Sequence, residues 1–455
     1  MDARKHWVSG LVLMAVVGLA ATAPAGVTPE EAARLDNELT PLGAIRGGND
    51  EGTIPPWDGG ITDPPAGYEP GGFHPDPFAG DEVLFTITAA DLDQYRDKLS
   101  PGQIAMLQRY PETWRMDVYP TRRSASYPEF VYEAVRANAT SSSLTGEGYG
   151  VAGARVSSPF PIPSEGLHCI WNHLMRYRGG SLLHVVGQAV PTSGGSYTMV
   201  TMEEKILLPY NDREATVETI GNRLAYFLQT VTAPARLAGN ILLVHETLDQ
   251  VEEPRKAWVY NPGQRRVRRA PNVAYDNPGT ASDAQRTNDQ YDMFNGAPDR
   301  YTWELVGRRE MYIPYNSYQL HSDELKYGDI VHAGHLNPDQ LRYELHRVWA
   351  VDARIREGTR HIYARRTFYF DEDSWQIVGV DQYDGRGQIW RVSEAHCINY
   401  YEQPLVWDTV QVHHDLQNGR YLAFGLNNEG AVEEFGLELS VDDYNPGTLR
   451  QLGRR

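Results

Sequence analysis

Only two cysteines occur in the 455 residues, Cys169 and Cys397, and neither belongs to a CxxC pair. The ligand spacing of a zinc finger or ribbon is therefore missing. Positive charge is scarce as well: 42 Lys and Arg stand against 60 Asp and Glu, a formal net charge of -18. Nucleic-acid affinity comes largely from neutralising phosphates, so this balance argues against a protein that wraps a polyanion. Beyond the N-terminal segment no run of about 20 apolar residues occurs, which excludes a later membrane-spanning helix. The phosphate-cradling G-x-x-x-x-G-K-S/T loop and the G-x-S-x-G nucleophile elbow are also lacking, and with them the sequence marks of a P-loop nucleotidase or an α/β-hydrolase.

What is present begins with an export signal. Arg4 and Lys5 form a short positive region, Leu11 to Ala21 an apolar one, and Ala23-Pro24-Ala25 places small residues where a signal peptidase reads them. Cleavage after Ala25 is expected to release a soluble periplasmic chain, and no Cys stands at the cleavage point to carry a lipid anchor. Losing Asp2, Arg4 and Lys5 leaves 40 basic and 59 acidic residues, a net charge of -19. In an oxidising compartment the His168-Cys169 and His396-Cys397 pairs make Cys169 and Cys397 a disulfide candidate. Two separate buried thiols, or a metal held by both thiolates and both imidazoles, are the alternatives.

The chain divides into the signal (1–25), an N-terminal region of helices and an arm (26–110) and a β-rich domain with a helical lid (111–455). Thr28, Pro29 and Glu31 predict a capped helix fading near Leu39. Residues 41–80 then hold 8 Pro and 10 Gly, which bars a helix or central strand. The apolar residues Ile45, Ile54, Trp57, Ile61, Tyr68, Phe73 and Phe78 interrupt that stretch, as expected of an extended arm packed over the body. Thr88, Ser100-Pro101 and Pro128 open further helices, and "GLHCIWNHLMRYRGG" is an amphipathic one. Asn138-Ala139-Thr140 is a glycosylation sequon, relevant only in a host that glycosylates.

From about Leu182 the period changes to that of strands. "LHRVWAVDARI", "RHIYARRTFYF", "WQIVGVDQY" and "QIWRV" alternate and are separated by Gly- and Asp-containing turns, the pattern of an antiparallel meander with one apolar and one wet face. "ARLAGNILLVHETL", "RKAWVYNP", "RRVRRA", "YTWELVGRREMYI", "RYLAFGLN" and "EEFGLELS" also have strand length. Ten or more strands in one sheet are expected to curve. The fold class expected is thus α+β and β-rich, with a large curved antiparallel sheet, covering helices and an extended arm.

Two clusters carry chemistry. "RKAWVYNPGQRRVRRAP", residues 255–271, concentrates six Lys or Arg in seventeen positions. Its plain reading is an edge strand whose charges block sheet-to-sheet aggregation; its sharper reading is that Arg266 and Arg268 hold an anionic head group. His332, His335 and His346, with Glu344 or Asp329 as base, are the best zinc-hydrolase candidate. Gly334 and Asn337-Pro338 place the His-x-x-His pair on a loop, where no helix aligns it.

The segment containing "QTVT" (Gln229 to Thr232) and then Trp258, Tyr260, Asn261 and Pro262 resembles the start of the LolA/LolB-type outer-membrane lipoprotein-sorting fold. "LTPLGAIRGGNDEGTIPPWDGG", "FTITAADLDQYRDKLSPGQ", "YPTRRSASYP", "IWNHLMRYRG", "DMFNGAPDRYTWELVGRREMYIPYN" and "DQYDGRGQIWRVSE" resemble a larger branch, domain-of-unknown-function family thirteen twenty-nine. The resemblance implies a half-open barrel with helices over its mouth and a cavity for acyl chains. The branch is similar to proteins whose genes often accompany envelope transporters of hydrophobic compounds. The expected function is a non-enzymatic carrier for a lipid or other hydrophobic compound, without a cofactor or metal, partnered by an envelope transporter or outer-membrane protein. Trp258, Tyr260, Arg266, Arg268, Trp349, Phe368 and Phe370 are the expected ligand-binding residues. A transporter accessory that docks a protein segment is the alternative, and a metal-dependent envelope hydrolase the third.

Overall fold

The computed structural model describes residues 26–453, so the expected signal peptide lies outside the described residues. The helix-start chemistry forms as expected. Thr28 and Glu31 make a reciprocal capping box, although the helix they open, Pro29–Ala32, soon tightens into a 3-10 turn. Ser100 and Gln103 cap Pro101–Arg109 in the same way. Glu129–Ser141 and Gly166–Met175 are the two longest helices; the first buries one side, and the second is buried nearly all round.

Eighteen strands occur among the described residues. Two short ones come first, β1 (Phe85–Ile87) and β2 (Met116–Val118), and a separate hairpin follows, β3 (Ser143–Thr145) and β4 (Gly150–Ala152). The next six are β5 (Ser181–Ala189), β6 (Val200–Leu207), β7 (Ala225–Ala233), β8 (Ile241–Glu246), β9 (Lys256–Asn261) and β10 (Arg266–Arg269). After a long irregular segment come β11 (Tyr301–Pro314), β12 (Tyr343–Ile355), β13 (Arg365–Asp371), β14 (Ile377–Tyr383) and β15 (Ile389–Tyr400). The last are β16 (Leu405–Asp415), β17 (Arg420–Leu426) and β18 (Glu434–Phe435).

Sixteen of them form one sheet in the order β1-β2-β12-β13-β14-β15-β16-β17-β5-β6-β7-β8-β9-β10, with β11 on β12 and β18 on β5. This corrects the expected half-open, strongly curved antiparallel barrel. The ladder ends at β10 without returning to its start, and the sheet is neither closed nor strongly curled. It is also mixed, because β2 meets β12 in parallel at Val118 and Tyr343. A sheet curls into a barrel when burial or edge pairing demands it. Here the chain covers both faces with its own segments, and the last strand, β10, is short and carries three arginines.

The alternation expected to give one wet face is overturned for the same reason. In β12, β13, β14, β15 and β16 nearly every residue is buried on both sides. Helix Pro101–Arg109 covers one face, where the Gly102 N–H donates to Asp381 at 3.1 Å. Helix Gly166–Met175 covers the other, joining Cys169, Ile170 and Trp171 to Val351, Phe368 and Phe370 in one core. Residues 360–364, expected to begin β13, instead form an irregular approach to it. The Pro- and Gly-rich arm packs on the body: Ile54 is buried, the Trp57 indole N–H donates to Ala125 O at 3.0 Å, and His74 is buried between His321 and Glu402.

Candidate functional site

Registered neighbours on a sheet share a face, and this defines an inner face on β5 to β9. His184, Glu204 and Gln229 stand side by side across β5, β6 and β7. They are flanked by Ile206 and Phe227 and then by Leu242 and Val244 on β8. Over this face lies residues 271–300, a segment with three short 3-10 turns and no strand. Five of its non-glycine residues, Ala281, Asp283, Ala284, Asp292 and Met293, have left-handed φ between 50° and 63°. Such residues persist only where surrounding interactions over-determine them.

Those interactions are polar and buried. Asp292 binds Arg176 at 2.7 Å and Arg178 at 2.9 Å. Asp289 binds Arg366 at 2.9 Å and His361 at 3.0 Å. The Tyr291 hydroxyl donates to Glu204 at 2.8 Å, Gln188 donates to Thr280 O, and Arg391 donates to the carbonyls of Ala284 and Gln285. Beneath the cover, burial opposes charge on His184, yet the Glu204 and Glu433 carboxylates at 3.6 and 3.1 Å outweigh it and raise its pKa to about 10. Burial and nearby Asp292 push the Asp408 carboxyl up to about 7.

Between cover and sheet the packing is incomplete. An inner pocket of about 60 Å³ is lined on the sheet side by Ile206, Leu208, Phe227, Leu242 and Val244, and on the cover side by Val273, Arg286 and Tyr291. It shares Leu242, Val273, Thr280 and Asn288 as walls with an outer pocket of about 470 Å³, which adds Val231, Leu237 and Val259. The two lie side by side in the cleft between cover and sheet, the smaller within and the larger outside. Arg178, Arg255 and Arg286 all reach the inner pocket. Arg255 pairs with Glu246 and Arg178 with Asp292. Arg286 is buried with no hydrogen bond to its Nε or Nη1 and no ion pair among the described residues, and burial lowers its pKa.

The residues singled out from the sequence are spread over three places. Arg266 and Arg268 are exposed on edge strand β10, registered against Asn261 and Val259, two outer-pocket residues. Tyr260 also borders that pocket, while its hydroxyl donates to Gly453 O at 3.1 Å. Trp258, on the far face, packs with the C-terminal helix Pro446–Leu452. Phe368 and Phe370 are fully buried in the main core. Trp349 lies 6.4 Å from Trp375 in a stacked pair and beneath the Arg308 guanidinium. Space beside these three is filled by the chain's own aromatic residues, so they do not meet the cleft lining.

Cys169 and Cys397, the disulfide candidate, are both free, buried thiols in one core. The three histidines do not converge. His332 is exposed, His335 is buried against Thr113 and Leu336, and His346 pairs with Glu344 at 3.1 Å. His346 does stand with Asp371 and Asp373 in a group of potential ligand atoms lying within 4.8 Å of one another. Both Asp373 oxygens are already taken by Arg123 at 2.6 and 2.9 Å, and Ser374 donates to Asp371 at 2.5 Å. The arrangement reads as a buried charge network. Sequence reasoning missed Arg286, because nothing in "SDAQRTND" distinguishes it from a solvated arginine.

A family model described as "Protein of unknown function (DUF1329)" matches residues 86–450. Uncharacterized protein PA3922 of Pseudomonas aeruginosa is 52% identical over 444 residues, covering 97% of this chain and 98% of that protein. Among solved structures, a DUF1329 family protein from Desulfovibrio piger aligns with 14% identity and a TM-score of 0.41 over 60% of this chain and 92% of that one. A LolA superfamily protein from Nitrosomonas europaea aligns with 11% identity and a TM-score of 0.37 over 62% of this chain and 98% of that one. With the family model spanning most of the chain and one relative sharing half its residues end to end, the protein belongs to the DUF1329 family.

Proposed function

We propose that the protein is an exported, non-catalytic binding protein that holds a hydrophobic compound in the cell envelope and passes it to or from a transport partner. The cleft between β6 to β9 and residues 271–300 is its seat. The observation that carries this reading is the pair of adjoining pockets in that cleft, with apolar walls running from Leu208 and Phe227 at the inner end to Leu237 and Val259 at the outer. Each methylene removed from water there contributes about 0.8 kcal/mol, so micromolar affinity asks for a chain of about ten carbons or more. The apparent export signal supports an envelope location, and no helix among the described residues is long and apolar enough to cross a membrane. Arg266 and Arg268 stand at the rim of the outer pocket, registered against Asn261 and Val259.

The cleft is tested by filling it. Leu242 lines both pockets, so Leu242→Trp is expected to abolish the fluorescence gain of 1-N-phenylnaphthylamine while thermal unfolding stays cooperative. Equal probe binding by the wild-type protein and this variant would place the apolar site elsewhere. Native mass spectrometry of protein taken from its own periplasm adds a second readout: a co-purifying hydrophobic molecule supports the carrier, and an empty protein bound to a stable protein partner supports the accessory reading.

A further inference from the structure

We infer that the inner pocket recognises an acidic head group, and that Arg286 is the residue that binds it. The inference rests on the proposed apolar cleft and names the chemistry at its closed end. Arg286 is 3% exposed, reaches the inner pocket, and leaves Nε and Nη1 without partners. Its guanidinium lies 4.5 Å from the Phe424 ring and 5.6 Å from that of Tyr291. Those faces steady a cation without satisfying its N–H groups. An uncompensated buried charge is among the costliest features a fold can carry, and burial normally comes with a paired anion.

Asp408, whose field also reaches Arg286, accepts from Gln411 at 3.0 Å and forms no ion pair with Arg286, and the other carboxylates nearby are committed elsewhere. Glu204 accepts from Tyr291 and from Gln229 at 2.6 Å and faces His184. Glu246 is engaged by Arg255 at 2.5 Å and by Asn295. Asp292 is shared by Arg176 and Arg178, and the Arg178 Nε is likewise unpartnered. The inner pocket thus carries surplus positive charge on rigid, planar donors suited to the two or three oxygens of a carboxylate or phosphate. From there the apolar wall shared with the outer pocket leads past Leu242 toward Leu237 and Val259. An acidic amphiphile, head inward and chain outward, fits that polarity.

The experiment titrates the full chain with dodecanoate, monododecyl phosphate, dodecan-1-ol and inorganic phosphate, by calorimetry and by the shift in unfolding temperature. One or both acidic chains should bind at least about 10-fold tighter than the alcohol. Arg286→Met should erase that preference, weakening the acid about 10- to 100-fold and leaving the alcohol within about 2-fold. Dodecanoate against monododecyl phosphate then says which oxyanion is preferred. Equal affinity of acids and alcohol for the wild-type chain overturns the head-group assignment while leaving the apolar cleft intact. Inorganic phosphate binding as tightly as its dodecyl ester overturns the amphiphile in favour of a bare anion site. Binding of none of the four overturns both readings. Should Arg286→Met fail to fold, the wild-type series and Arg286→Lys, which keeps charge but loses the fork, still decide the matter.

Discussion

Gly102 shows how closely the covering helix approaches the sheet. A Cβ there would stand 2.1 Å from Asp381 Oδ1 and 2.9 Å from a Val392 methyl, and the Gly102 N–H is itself bonded to that carboxyl. Gly102→Ala is expected to destabilise by about 1–3 kcal/mol through overpacking, and Phe368→Ala by about 3–5 kcal/mol through the cavity it leaves. Arg268→Ala, on an exposed edge, should stay within about 0.5 kcal/mol. Urea unfolding midpoints check the ranking, and an Arg268→Ala loss matching that of Phe368→Ala would refute it. Local chemistry at this scale was legible beforehand: Thr28 with Glu31 announces a cap and Ser100-Pro101 a helix start, because each signal lies within four residues. Arg286 was not legible, since its isolation depends on which carboxylates Tyr291, His184 and Arg255 have already taken.

At the scale of elements, the basic stretch resolves into unlike parts. Arg255 is buried against Glu246, Lys256 pairs with Glu253, Arg265 turns the chain with φ 50°, and Arg266, Arg268 and Arg269 lie along the last strand of an open sheet. Edge strands are templates for unwanted pairing, and charge on them blocks it. Replacing Arg266 and Arg268 together by Val should therefore produce concentration-dependent association, visible by light scattering, with little loss of unfolding temperature; a variant that stays monomeric at high concentration would deny the edge its protective role. Period-two alternation revealed β12, β13, β14 and β15, and strand length with turn punctuation revealed others such as β17. The alternation gave the wrong exposure for their faces, because a pattern of side chains cannot show that a helix and an irregular segment from distant sequence cover both sides. Residues 271–300, with no period at all, turned out to form the cleft's second wall.

For the whole molecule, buried titratable groups set a pH dependence. Burial holds His168 and His321 at about 4 and His173, His396 and His414 at about 3, and it lowers His245, His335 and His413 as well. These eight are neutral in the folded chain but take protons near pH 6.5 when unfolded, so their contribution to stability is lost as pH falls below that value. Burial acts oppositely on six carboxyls, raising Asp76, taking Asp371 and Asp381 to about 6 and Glu372, Glu394 and Asp408 to about 7, which favours the fold as pH falls. His184, raised to about 10, adds stability that is full below 6.5 and lost as pH rises through 10. Eight histidines outweigh six carboxyls on the acid side, and His184 governs the alkaline side. The unfolding temperature should peak at about pH 7 and fall toward pH 5; a continuous rise down to pH 5 would show that the carboxyls dominate.

The sequence by itself determined the strand-rich class, the caps, the packed arm's apolar anchors, the arginine-bearing edge and the family, because each is written in short-range patterns or in matching words along the chain. Tertiary structure alone decided that the sheet stays open, that both faces are covered, that Phe368 and Phe370 meet their own core, and that Arg286 is left facing a cleft. Those outcomes depend on which segments, hundreds of residues apart, compete for one surface and one set of charges. No local pattern records the result of that competition.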